Sequence, residues 1–158
     1  VRLNGARLYK FFQEPGSQQQ QLLDAQAGGT IDSTIFVVGA ESLIEENGRP
    51  KWRGTALLNW RLGQLGAGYY GAYTGAVSDS TAMTADGTQF RVDDYITHNL
   101  YLQYTIESAG LADGTRLRLG VRNLTNELPP LADGSFGYIG ELYSNRGRAF
   151  YASLRKRF

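Results

Sequence analysis

The segment Gly147-Arg148-Ala149-Phe150-Tyr151-Ala152-Ser153-Leu154-Arg155-Lys156-Arg157-Phe158 limits what this chain can become more than any other. Taken in twos from its end, one parity reads Phe158, Lys156, Leu154, Ala152 and Phe150, and the other Arg157, Arg155, Ser153, Tyr151 and Ala149. A mostly apolar face opposed to a polar, basic one at a period of two is a β-strand with unlike surroundings on its two sides. At about eleven residues it is also long enough to cross a bilayer as a tilted strand. A soluble sheet could carry the same alternation, so the rest of the chain decides between water and lipid.

Alternation recurs along the chain. Val1 to Phe12 reads as a strand of uncertain parity. Pro50 to Trp60 places Trp52, Gly54, Ala56, Leu58 and Trp60 on one face, with Trp52 and Trp60 at its two ends. An indole has an apolar body and a polar N–H, so that spacing suits anchoring at two membrane interfaces. Leu65 to Gly75 forms the next strand after a short Leu62-Gly63-Gln64 connection. Phe90 to Ile106 sets Ile96, His98, Leu100, Leu102, Tyr104 and Ile106 against Tyr95, Thr97, Asn99, Tyr101, Gln103 and Thr105. Past a turn at Ser108 to Gly114, Leu117, Leu119 and Val121 alternate with Arg116, Arg118, Gly120 and Arg122. No apolar run approaches a helical span, whereas 20 Gly and 10 Tyr suit tight turns and aromatic girdles.

The connections alternate in length: long over Gln13–Arg49, short, long over Val77–Gln89, short, and long over Asn123–Asn145. Such asymmetry separates the two sides of an outer-membrane barrel. Within the first long connection, Gln18–Ala27 reads as a short helix and Ile31–Val38 as a short strand.

Enzymatic signals are weak. Gly66-Ala67-Gly68-Tyr69-Tyr70-Gly71 matches a dinucleotide fingerprint, but no helix follows, and the glycines better relieve crowding beside tyrosines or allow strand bending. Asn123-Leu124-Thr125 is a glycosylation triplet of the kind that occurs by chance. His98 is the only histidine, and the adjacent carboxylates Asp93-Asp94 and Glu45-Glu46 would point to opposite faces of a strand. With no Cys there is no thiolate metal site, and with a net charge of +1 there is no field for nucleic acid. No covalent chemistry, metal or cofactor is expected.

Two stretches carry a resemblance. Leu119-Gly120-Val121-Arg122-Asn123-Leu124-Thr125-Asn126-Glu127-Leu128-Pro129-Pro130, then Gly147-Arg148-Ala149-Phe150-Tyr151 and terminal Phe158, resemble the C-terminal end of a TonB-dependent outer-membrane receptor. Gly48-Arg49-Pro50-Lys51-Trp52-Arg53 and Leu58-Asn59-Trp60-Arg61 are similar to its preceding strand pair. The resemblance implies a twenty-two-stranded antiparallel barrel filled by an N-terminal plug. It also implies uptake of a scarce nutrient (ferric siderophore, cobalamin or glycan) with energy from an inner-membrane TonB complex. In it, Phe150, Leu154 and Phe158 correspond to the assembly signal of the closing strand. Lys156 departs from the pattern, since an apolar residue would suit its face, although a lysine near the rim can snorkel.

The expectation is therefore an all-β chain, residues 1–158, forming about six strands at the C-terminal end of a larger barrel in outer-membrane lipid, with plug and earlier strands outside it. Candidate ligand contacts are Phe136, Tyr138 and Tyr143 in the last long loop, because aromatics there supply contact area at low entropic cost. Arg116, Arg118 and Arg122 face inward toward an anionic ligand or the plug. Two alternatives stand beside this reading. One is a complete eight-stranded barrel with a surface or adhesion role, formed if Ile31–Val38 and Phe136–Tyr143 both cross the membrane. The other is a soluble carbohydrate-binding sandwich.

Overall fold

The computed structural model of the chain describes residues 1–108 and 110–156. Its elements in order are β1 (Arg2–Arg7), β2 (Phe12–Gln13), α1 (Ser17–Ala27), β3 (Glu41–Ser42), β4 (Trp52–Leu62), β5 (Leu65–Thr74), β6 (Val77–Met83), β7 (Gln89–Val92), β8 (Tyr95–Ile106), β9 (Thr115–Arg122) and β10 (Ala149–Arg155). Six of them make one antiparallel sheet in the order β1-β4-β5-β8-β9-β10, so neighbours in the sheet follow one another up and down. The sheet is open, with β1 and β10 at its edges. Phe158 lies outside the described residues.

Register sorts the side chains into two faces, because residues paired across antiparallel strands point the same way. Pairing runs from Leu58 through Tyr69, Leu100 and Val121 to Phe150, and from Trp60 through Ala67, Leu102 and Leu119 to Ala152. One face is thus apolar from edge to edge and left open: Leu102 is 61% exposed, Leu154 71% and Phe150 79%. The other face carries Asn59, Gln103, Tyr101, Asn99, Arg116, Arg118 and Arg122. A one-layer sheet with an uncovered apolar side is unsuited to water and suited to lipid.

Glycines make room on the polar face. A Cβ on Gly68 would lie 2.1 Å from the Tyr101 ring, and one on Gly120 would lie 2.4 Å from Tyr151. The freed Tyr101 hydroxyl donates to Asn59 Oδ1 at 3.0 Å, and Arg118 stacks on the same ring at 4.2 Å while donating to Gln103 at 2.9 Å. The crowding expected of the Gly66–Gly71 run is therefore real, although the ring over Gly68 comes from the neighbouring strand. On the apolar face, Tyr69 Oη and His98 Nδ1 lie 2.6 Å apart, which makes His98 a satisfied side chain.

Four segments differ from expectation. Ile31–Val38 forms turns and extended coil, not a strand. Within it Asp32 accepts from the amide and hydroxyl of Thr34, which closes a local turn in place of a ladder. Phe136–Tyr143 is also irregular, so neither segment that an eight-stranded barrel needs is a strand. Val77–Gln89, expected as a loop, folds with the residues after it into the β6–β7 hairpin, and the strand expected over Phe90–Ile106 breaks at Asp93-Asp94 into β7 and β8. The helix expected over Gln18–Ala27 is present as α1. Lys156 turns its ammonium to the backbone carbonyl of Asp113.

Candidate ligand-binding site

All three long connections leave the same end of the sheet, and there they fold on one another. Val77 and Val92 of the hairpin are fully buried, and they cluster with the buried Tyr95, Ala132 and Tyr143 of the neighbouring segments. Phe90, Tyr138, Ile139 and Leu142 pack around them. The compact core of the chain thus lies in a cap above the strands, because only there do apolar groups have a second layer to pack against.

Polar bonds lock the three connections together. Asn47, from the first, receives the Ser80 amide at 3.0 Å and donates its own amide to the Ser78 carbonyl at 2.9 Å. Asp79 is 4% exposed. Its Oδ1 accepts from the Thr81 amide at 3.0 Å and the Thr81 hydroxyl at 2.6 Å, and its Oδ2 accepts from the Asp133 amide of the third connection at 2.7 Å. Burial pushes this carboxyl up, but the Thr81 hydroxyl and the amides of Thr81, Asp133 and Ala82 outweigh it and hold it below the ordinary aspartate range.

A cavity of about 360 Å³ opens beside Asp79, lined by Asn47, Thr81, Asp133, Ser135, Phe136, Tyr138 and Glu141. Phe136 is 78% exposed and sits 6.1 Å from the Tyr138 ring. The structure therefore brings Phe136 and Tyr138 to one cavity, while Tyr143 belongs to the buried cluster on which Tyr138 packs and does not line it. Tyr143 is 5% exposed, packs edge-on to Tyr95 at 5.2 Å, and its hydroxyl has no partner among the described residues. Burial pushes its phenol up. Asn47, Asp79, Asp133 and Glu141 were not singled out by sequence. Asp79-Ser80-Thr81 did carry a usable signal, since Asp-x-Thr builds the same side-chain turn at Asp32–Thr34 and Asp86–Thr88.

Arg116, Arg118 and Arg122 share the polar face but not one site. Arg122 stands below the cap, in a second cavity of about 370 Å³ with Asn99, Asn123 and Arg146, and stacks on Tyr151 at 5.5 Å. Arg118 lies on Tyr101 in mid-sheet, and Arg116 pairs directly with Arg155 near the short-turn end. Charge is segregated throughout: each of the 15 Asp and Glu lies outside the six strands of the sheet. The interface positions Trp52 and Trp60 sit eight residues apart on the apolar face, about 26 Å along a strand, which is close to the height of an apolar band of about 25 Å.

The segment that carried the resemblance ties β9 to β10. Asn123 and Asn126 both take left-handed backbone (φ 50° and 59°). Asn123 is buried and exchanges hydrogen bonds with Glu127, donating to its carbonyl at 2.7 Å and accepting from its amide at 2.8 Å. Asn126 accepts from the Arg148 amide at 2.8 Å, and its oxygen lies 2.8 Å from where a Cβ on Gly147 would be. Asn, Asn and Gly are thus required at the crossing, the first two for positive φ with local hydrogen bonds and the third for space.

A family model described as TonB dependent receptor-like, beta-barrel, matches residues 16–124, more than half of the 158 residues. No curated protein and no solved structure matches the chain. An antiparallel sheet with one apolar and one arginine-bearing face, short turns at one end and a folded cap of long loops at the other agrees with that match, and the chain belongs to the TonB-dependent receptor β-barrel family, whose members are transport receptors rather than enzymes, typically of the outer membrane.

Proposed function

We propose that the chain is the C-terminal portion of a twenty-two-stranded receptor barrel in the bacterial outer membrane, which takes up a scarce nutrient with energy supplied through TonB. The observation that carries this reading is the two-faced open sheet. Its apolar side requires lipid, its polar side faces a lumen, and its edges β1 and β10 have backbone groups for further strands. In this reading the cap faces the outside and receives the nutrient, and Phe136 and Tyr138 are its aromatic contacts. Tyr143 supports them from the loop core. Arg122 lines the path below the cap, while Arg116 and Arg118 meet the plug or the passing ligand on the lumen wall. Trp52 and Trp60 anchor the wall at the two interfaces, and Phe150, Leu154 and Phe158 mark the closing strand for assembly.

Growth of a strain that carries the intact receptor tests the proposal, with iron, cobalamin or a glycan as the limiting nutrient. Growth on one of the three should need both the receptor and a working TonB complex. Growth that is unchanged when TonB is removed would defeat the energy-coupling claim. Separately, bilayer-resident quenchers should quench Trp52 and Trp60, and a failure there would defeat the membrane reading. Tyr143→Phe should leave both cap stability and uptake unchanged or improved, because it removes a buried hydroxyl without a partner.

A further inference from the structure

We infer that the cap cavity receives a polyhydroxylated ligand without anionic groups, a neutral sugar in chemical terms, and rejects anionic metal chelates; this rests on the uptake reading above. The charged side chains in its wall are Asp79, Asp133 and Glu141, with no cation among its lining residues. Asp79 is occupied in holding Thr81 and Asp133. Asp133 and Glu141 are exposed, so their carboxylates can accept hydrogen bonds from ligand hydroxyls. Beside them Phe136 and Tyr138 present tilted rings, one of them 78% exposed.

That combination matches a sugar ring, which has an apolar C–H face to lay on an aromatic and an edge of hydroxyl donors to offer to carboxylates. It opposes a chelate bearing negative charge, because like charges within a few ångströms repel across a partly desolvated cavity. At about 360 Å³ the space lies at the small end of ligand sites, roughly 300–1,000 Å³. The second cavity, by contrast, is lined by the cations Arg122 and Arg146. The two cavities therefore differ in the sign of the charge that they present.

The experiment uses the intact receptor in detergent, applied to an array of neutral and uronate-containing oligosaccharides and, in a parallel titration, to ferric citrate. Neutral members should bind, and Phe136→Ala should weaken them about tenfold, the loss of one stacked ring. Because Phe136 is so exposed, that variant keeps the fold. Asp133→Asn with Glu141→Gln should weaken neutral sugars further and admit uronates. Binding of ferric citrate or uronates to the unaltered receptor, with neutral sugars absent, would overturn the ligand class and leave the uptake reading standing. Absence of all binding together with TonB-independent growth would remove both.

Discussion

A single buried carboxylate joins two of the three cap loops. Asp79 accepts three hydrogen bonds, one of them across to Asp133. Asp79→Asn would turn an amide nitrogen toward one of those donors and should loosen the cap by about 1–3 kcal/mol, read as faster amide exchange at Thr81 and Asp133. The pH dependence follows from the lowered pKa: a carboxyl whose pKa is depressed in the folded state contributes stability that is complete above its unfolded value, about 3.9, and is lost as pH falls through the folded one. The cap should therefore hold its protection down to about pH 4 and lose it below, and the asparagine variant should show a smaller acid step at Thr81 and Asp133. At Gly68 the constraint is space. Gly68→Ala drives a methyl into the Tyr101 ring and breaks its bond to Asn59, at a cost of about 1–3 kcal/mol in unfolding from detergent. Adding Tyr101→Ala should recover part of that loss.

At the scale of a strand, the claim is that parity means environment. Leu102 and Gln103 are neighbours in β8 and belong to opposite faces. Leu102→Arg should cost about 2–4 kcal/mol in folding into vesicles, because the charge enters lipid, while Gln103→Arg should cost much less. Equal costs would contradict the assignment of faces. Parity was legible in sequence because the period of two survives without knowledge of partners. Strand ends were less so: β8 starts at Tyr95, and the residues before it turn away into the hairpin. Asp93-Asp94 was read for chemistry, though adjacent carboxylates that suit neither face also mark a break.

For the whole molecule, the open sheet is the feature with consequences. Amides of β1 and β10 that point away from the sheet should exchange rapidly in the isolated chain and be protected in the intact receptor, where further strands cover them. Protection at both edges in the isolated chain would mean closure on itself, and the fragment reading would fail. The sequence alone determined the class of fold, the order of strands and the side on which long loops gather, since these depend on local periodicity and turn chemistry. It also exposed the Asn-Leu-Thr-Asn and Gly-Arg spacing without its reason. Tertiary structure decided that Phe136 and Tyr138 share a cavity while Tyr143 is buried, that Asp79 and Asn47 hold the loops together, and that Tyr101 lies over Gly68. Each of these depends on contacts between segments distant in the chain, whose alignment is set by packing and register, and no local pattern encodes that alignment.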